Sequence, residues 1–239
     1  MLEVRRSEDR GVGKLDWLDA NFTFSFGPYK NPEQIGFSDL RLLNDDRVKG
    51  GGGFASHEHT DTEVFSYVLS GALEHKDSMG YGSVVRAGEV LTMSTGTGIS
   101  HSEFNHSATE GVHFLQIWMV PSRKGVTPRY GQKHFGPAEK RGRFACIIAP
   151  DERDGSLPLY LDGCVYAGLI DGDEEAEITL APGRYAYVHV IGGGVSVNGV
   201  ELADGDGARV RHESRLSFSG GRNAEVLVFD LRPRELPDA

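Results

Sequence analysis

The chain has 239 residues, of which 38% are hydrophobic and 25% charged, with a formal net charge of -10. That composition is globular and not disordered, and the acidity argues against binding nucleic-acid backbones or anionic membrane surfaces. Only Cys146 and Cys164 are present, too few for a disulfide framework, so both are expected as packed, reduced thiols.

The N-terminus, Met1 to Arg6, carries charges with no apolar stretch behind them. No apolar run approaches the roughly 20 residues of a membrane span. A cytoplasmic protein is expected. Apolar segments are short and alternate with polar residues, as in strands. In chain order they are Phe22–Phe26, Glu63–Leu69, Gly111–Val120 and Glu225–Leu231. Turn signals separate them at Ser70-Gly71, Met79-Gly80, Ala87-Gly88, Pro182-Gly183, Asn198-Gly199, Asp204-Gly205 and Gly220-Gly221. The 32 glycines and the absence of long 3.6-residue periodicity make helix a minor component. An all-β chain of sandwiches or barrels is predicted.

A weak internal repeat divides the chain. Ser66–Glu74 followed by Ala87-Gly88 parallels Val188–Ser196 followed by Ala203–Gly205. Each copy reads strand, glycine turn, strand, glycine turn, strand. Two similar barrels in tandem are expected, the first over 1–130 and the second over 131–239. Their junction is placed in Pro121–Gly142, where Pro128, Gly131, Gly136 and Pro137 are expected to break any regular element.

The chemistry resides in two short motifs, His57-Glu58-His59 and His101-Ser102-Glu103. Side chains alternate across a strand, so each i, i+2 pair projects to one face. Two such strands meeting inside a barrel would gather three imidazoles and one carboxylate, an open donor set for a catalytic divalent metal. The repeat provides a control. His57 and His59 lie fourteen and twelve positions before Gly71, and those offsets from Gly193 reach Thr179 and Ala181. His101 and Glu103 follow Gly88 by thirteen and fifteen, and those offsets from Gly205 reach Phe218 and Gly220. The second barrel is expected to hold no metal and to be filled with apolar side chains.

Glu63 lies four residues after His59 and is expected on the same strand, so that its parity matches that of the histidines. It is expected to accept the second N–H of a ligand imidazole. His75, His106, His113, His134, His189 and His212 are expected at the surface or in ordinary hydrogen bonds. Phe54, Met93 and Phe104 read as core packing that borders the site. The parity of Gly111–Val120 that faces inward is open, and the triple glycines at 51–53 and 192–194 read as tight turns or bulges.

The paired motifs resemble those of the cupin superfamily, and Gly52-Gly53-Phe54 with Met93–Glu103 resembles the pirin family. Phe24–Gly27, Gly36-Phe37, Leu40-Arg41, Asn44-Asp45-Asp46, Gln116–Trp118, Thr127–Tyr130 and Asp154–Leu157 extend the likeness over nearly the whole chain. The resemblance implies a bicupin, two jelly-roll-like barrels, with one metal in the first held by His57, His59, His101 and Glu103. It implies Fe(II) as the cation, with Ni, Co, Cu, Mn or Zn as alternatives. The implied activity is that of a quercetin 2,3-dioxygenase, opening a flavonol with O₂ and releasing CO, with Glu103 as the base. Two other classes stand beside it. One is a metal-dependent, protein-binding transcription cofactor without catalysis; the other is a non-oxidative cupin isomerase or hydrolase. A monomer is expected.

Overall fold

The structure is a computed structural model and describes residues 1–236. Every pairing between named strands is antiparallel, and the one α-helix among the described residues is the single turn Pro137–Lys140. The chain forms two β-barrels, as the repeat implies.

In the first barrel a four-stranded sheet faces a larger one. The small sheet runs Gly53–His59, Ile99–Asn105, Ala72–Asp77, Gly82–Arg86. The seven-stranded sheet runs Arg129–His134, Glu89–Ser94, Glu63–Ser70, Val112–Met119, Leu40–Val48, Leu18–Phe22, Gly11–Lys14. The second barrel is one eight-stranded sheet folded over itself through two long strands, Tyr185–Val197 and Arg215–Leu231.

Three apolar cores explain why several strands read as almost unbroken hydrophobic runs. In Glu63–Ser70, Val64 and Val68 enter the first barrel while Phe65 and Tyr67 enter a seam between the barrels. In Arg215–Leu231, Val226 and Val228 fill the second barrel while Leu227, Phe229 and Leu231 enter the seam. A sheet buried on both faces has no polar side to alternate with. The second barrel is filled by Ile178, Leu180, Leu216, Phe218 and similar side chains.

Five sequence expectations give way here. Phe22–Phe26 is not a strand. Pairing stops with Leu18–Phe22, and Ser25 then exchanges hydrogen bonds with Asn31, donating from Oγ at 2.7 Å and accepting from N–H at 2.8 Å. That side-chain turn replaces the ladder. Gly220-Gly221 is no terminal turn but a kink inside Arg215–Leu231, with Gly220 at φ +59°. The junction Pro121–Gly142 contains the regular strand Arg129–His134, because an isolated glycine such as Gly131 is compatible with an edge strand. The expected division after residue 130 falls inside that strand, which pairs with Glu89–Ser94, while Leu2–Arg5 pairs with Gly207–Val210 in the other barrel. Glu63 does not continue the strand of His59. The chain turns through Thr60–Thr62, with Asp61 at φ +48°, and Glu63 opens a strand of the opposite sheet.

Candidate metal centre

The two histidine-bearing strands are neighbours in the small sheet. His101 lies directly opposite His57, and a register shift between His101 and Glu103 brings Glu103 opposite Phe54. Parity then works as the sequence predicts: His57 and His59 share one face, and His101, Glu103 and Asn105 are buried while Phe104 is exposed.

The three imidazoles converge. Ring centroids are 4.9 Å apart for His57–His59, 4.5 Å for His57–His101 and 5.0 Å for His59–His101. One nitrogen from each falls within 4.8 Å of the others. His57 donates its Nδ1–H to the Ala55 carbonyl oxygen at 2.8 Å, which leaves Nε2 as the free lone pair. His59 Nε2 and both nitrogens of His101 are buried with no hydrogen-bond partner. Buried polar atoms are nearly always paired, so an orphaned nitrogen on His59 and one on His101, converging with a nitrogen of His57, fit a cation. Burial, with His57 beside it, lowers the His59 imidazole to about 4. Burial and the three neighbouring imidazoles lower His101 to about 2. His59 and His101 are therefore neutral near pH 7, the form that binds a metal.

Glu103 is fully buried. Its Oε1 lies 3.0 Å from Ser66 Oγ, which is also 2.6 Å from Gln116 Oε1. One hydroxyl carries one proton, so Ser66 satisfies both contacts either when a protonated Glu103 donates to it or when the Gln116 amide turns its NH₂ toward it. Burial pushes the Glu103 carboxyl up to about 7, with the Ser66 hydrogen bond pulling the other way. Glu103 is close to His101, but it groups with His101 and His75 and not with the three-imidazole set.

Strand Val112–Met119 resolves the open parity. Val112, Phe114, Gln116 and Trp118 face the barrel interior, and Leu115, Ile117 and Met119 face the seam. The Trp118 ring meets His59 edge-on at 4.8 Å. Asp46 faces inward as well. Burial, then the charges of Asp45 and Glu103, raise its carboxyl well above the usual range. Met93 and Phe54 pack in the barrel core as expected, whereas Phe104 is exposed and does not.

Two expectations about individual residues are corrected. Glu63 accepts no imidazole N–H. Its Oε2 takes hydrogen bonds from Ser94 Oγ at 2.6 Å and Tyr160 N–H at 3.2 Å, because its new strand places it at the seam. His189 is neither at the surface nor hydrogen-bonded: it is buried between the barrels with both ring nitrogens unpartnered. His106 and His113 do form ordinary pairs, with Glu74 at 3.3 Å and Asp45 at 2.7 Å. His134 and His212 are exposed.

His75 was undervalued. It is buried, its ring centroid is 5.4 Å from that of His101, and its strand position is directly opposite Glu103. The legible signal was a third i, i+2 pair, His75-Lys76-Asp77, on the hairpin between the two motifs.

Comparison with known proteins places the chain among characterised families. The profile of the Pirin family matches residues 4–119, and that of the quercetinase C-terminal cupin domain matches 146–231. A protein of Escherichia coli K12 named quercetin 2,3-dioxygenase is 42% identical over 233 residues, covering 98% of this chain and all of the relative. The crystal structure of the bacterial pirin YhhW from E. coli in complex with nickel(II) superposes with a TM-score of 0.93 at 42% identity, covering 98% of this chain and 100% of that one. A quercetin 2,3-dioxygenase from Acinetobacter baumannii, 18% identical with a TM-score of 0.78, shares the fold over 97% of this chain and 79% of that one. With a histidine and carboxylate cluster suited to a divalent metal in the first of its two cupin barrels, and relatives aligned over nearly its full length, the chain belongs to the pirin family.

Proposed function

We propose that this protein is a metal-dependent dioxygenase of the quercetin 2,3-dioxygenase type, with His57, His59, His101 and Glu103 holding one divalent cation. The observation that carries the reading is the convergence of three imidazoles, two of them with buried unpartnered nitrogens, beside a buried carboxyl. Iron(II) is the cation the family resemblance suggests, and nickel(II) is the competitor, since a 42%-identical relative was crystallised with it. When bound, the cation supplies Lewis acidity that lowers the pKa of a flavonol 3-hydroxyl.

The chain's own residues do the rest. The imidazoles of His57 and His59, borne on one strand, and of His101 on its neighbour would hold the cation. Glu103 would accept the 3-hydroxyl proton at a carboxylate oxygen, as a general base beside the cation. Ser66 and Gln116 hold that carboxyl in one orientation. Trp118 and the apolar barrel wall keep bulk water from the deprotonated, electron-rich substrate. The net reaction takes up one O₂, opens the central ring and releases CO.

The test begins with elemental analysis of the purified protein. The loss of flavonol absorbance is then followed with and without oxygen. The Glu103→Gln variant should retain some metal and lose at least about 100-fold in turnover, the general-base contribution. Wild-type turnover in that variant would remove the base. No oxygen-dependent loss of flavonol with the metal-loaded wild type would sink the dioxygenase and leave the protein-binding and the non-oxidative readings, which a metal-dependent partner or turnover without oxygen would separate.

A further inference from the structure

Two overlapping sets of donors occupy the first barrel. One is His57, His59 and His101; the other is His75, His101 and Glu103, and each set has its donor atoms within 4.8 Å of one another. His101 belongs to both. Its two ring nitrogens are buried and unpartnered. An imidazole that gives one nitrogen to a cation keeps a proton on the other, and a buried N–H without an acceptor costs about 1–3 kcal/mol.

An acceptor stands beside it. His75 Nε2 is 2.9 Å from Asp77 Oδ2, and both side chains are 0% exposed. The other oxygen of Asp77 accepts the backbone N–H groups of Met79 at 2.9 Å and Tyr81 at 3.1 Å. Asp77 is thus fixed in place, and as a carboxylate it can only accept, so Nε2 of His75 carries the proton. Nδ1 is then an unprotonated lone pair. It too is buried and unpartnered. The His75 ring also packs against Tyr130, with ring centroids 5.4 Å apart, and the Tyr130 hydroxyl is 2.5 Å from Ser83 Oγ. A buried donor without an acceptor and a buried acceptor without a donor thus lie on rings whose centroids are 5.4 Å apart.

We propose that His75 is a positioning residue of the metal centre: with a cation on the three-imidazole set, its Nδ1 accepts the remaining N–H of His101, and Asp77 locks the tautomer that makes this possible. The chain Asp77–His75–His101 then fixes the ring plane of His101 and strengthens it as a donor. This rests on the metal-centre reading above and assigns His75 no contact with the cation.

The substitutions separate tautomer from packing. Asp77→Asn keeps the size and can keep its oxygen on the Met79 and Tyr81 N–H groups, but presents an N–H to Nε2. The ring must then place its proton on Nδ1, which can no longer accept from His101. His75→Phe keeps the bulk and removes the acceptor, and His75→Gln offers an amide oxygen in its stead. Titration with nickel(II), followed by calorimetry, should show affinity about 10- to 100-fold weaker in Asp77→Asn and His75→Phe, with partial recovery in His75→Gln. The visible absorption of the cobalt(II)-loaded protein should shift in the same two variants.

Nitrogen NMR of the zinc(II)-loaded wild type tests the same point without any substitution. His75 should be protonated on Nε2 alone. Unaltered nickel affinity and cobalt spectra in folded Asp77→Asn and His75→Phe, or a proton found on His75 Nδ1 in the zinc form, would overturn the proposal. A wild type that binds none of these cations would remove the centre itself, a different failure from that of the variants.

Discussion

His59 and Trp118 touch, and that contact makes metal binding visible. The chain has two tryptophans, Trp17 and Trp118. Trp118 lies edge-on to a proposed ligand at 4.8 Å, and Trp17 packs on Phe54 at 5.2 Å. Titration with nickel(II) or copper(II) should quench tryptophan emission. Trp17→Phe should keep most of the quenching and Trp118→Phe should lose it; the reverse pattern would place the cation elsewhere. The individual ligand types were legible because HxH and HxE at i, i+2 need only strand parity to become a face. Glu63 shows the limit of that rule. Parity holds only while the strand continues, and three residues at Thr60–Thr62 were enough to send Glu63 to the seam, onto Ser94 and the Tyr160 backbone.

At the level of elements, the repeat rests on one backbone device used twice. Gly71 at φ +74° and Gly193 at φ +72° sit at equivalent places, where a strand bends into its next segment. In the first barrel the bend separates Glu63–Ser70 from Ala72–Asp77 and carries the chain from one sheet to the other. In the second, Tyr185–Val197 runs on through register shifts. A Cβ on Gly71 would stand 2.5 Å from the Gly111 carbonyl oxygen, and one on Gly193 would stand 2.2 Å from that of Arg222. Both φ and space therefore demand glycine. Gly71→Ala should lower stability by at least about 1–3 kcal/mol in urea unfolding. Because His75 and Asp77 lie just beyond the bend, it should also weaken nickel binding. A neutral Gly71→Ala would mean that the bend is not strained. The sequence displayed the glycines, but not whether each ends a strand or kinks one, because that depends on whether a neighbouring strand continues the ladder on the far side.

For the molecule as a whole, the seam is the deciding feature. Phe65, Tyr67, Leu115, Ile117 and Met119 from one barrel meet Tyr187, Leu227, Phe229 and Leu231 from the other. Lys140 Nζ donates to Tyr67 Oη at 2.5 Å and to Glu225 Oε1 at 2.8 Å, tying both barrels to the connector. A shared core predicts one cooperative transition by calorimetry, with calorimetric and van't Hoff enthalpies in agreement. Two separated transitions would show the barrels to be independent.

His189 is buried in this seam. Burial first, then the Arg10 charge, lowers it to about 3, against the opposing pull of Asp45 and Asp206. Burial alone would raise the Asp45 carboxyl, but the hydrogen bond from His113 and the charges of Arg47 and Arg10 hold it well below the usual range. His189 is therefore neutral in the fold, while the unfolded chain protonates it below about 6.5. Its contribution is complete above that pH and is lost as pH falls toward 3. From pH 7 to pH 5 the loss is about 2 kcal/mol for this one proton. His189→Leu should show that much less decline in unfolding free energy over the same interval. An equal decline in both proteins would mean that His189 is already protonated in the seam.

What the linear chain determined by itself was local and periodic: the strand alternation, the glycine punctuation, the repeat and the two i, i+2 motifs. Each follows from the two-residue period of a strand and the φ restrictions of L residues, which neighbours in sequence decide. What only the tertiary structure decided was everything set by register and by the apposition of sheets. His57 faces His101 through pairing across 44 residues of chain. Residue 75 comes opposite residue 103 in the same sheet. The even residues of 112–119 turn to the site and the odd ones to the second barrel. Non-local pairing depends on which surfaces exclude water together, and no window of neighbouring residues contains that information.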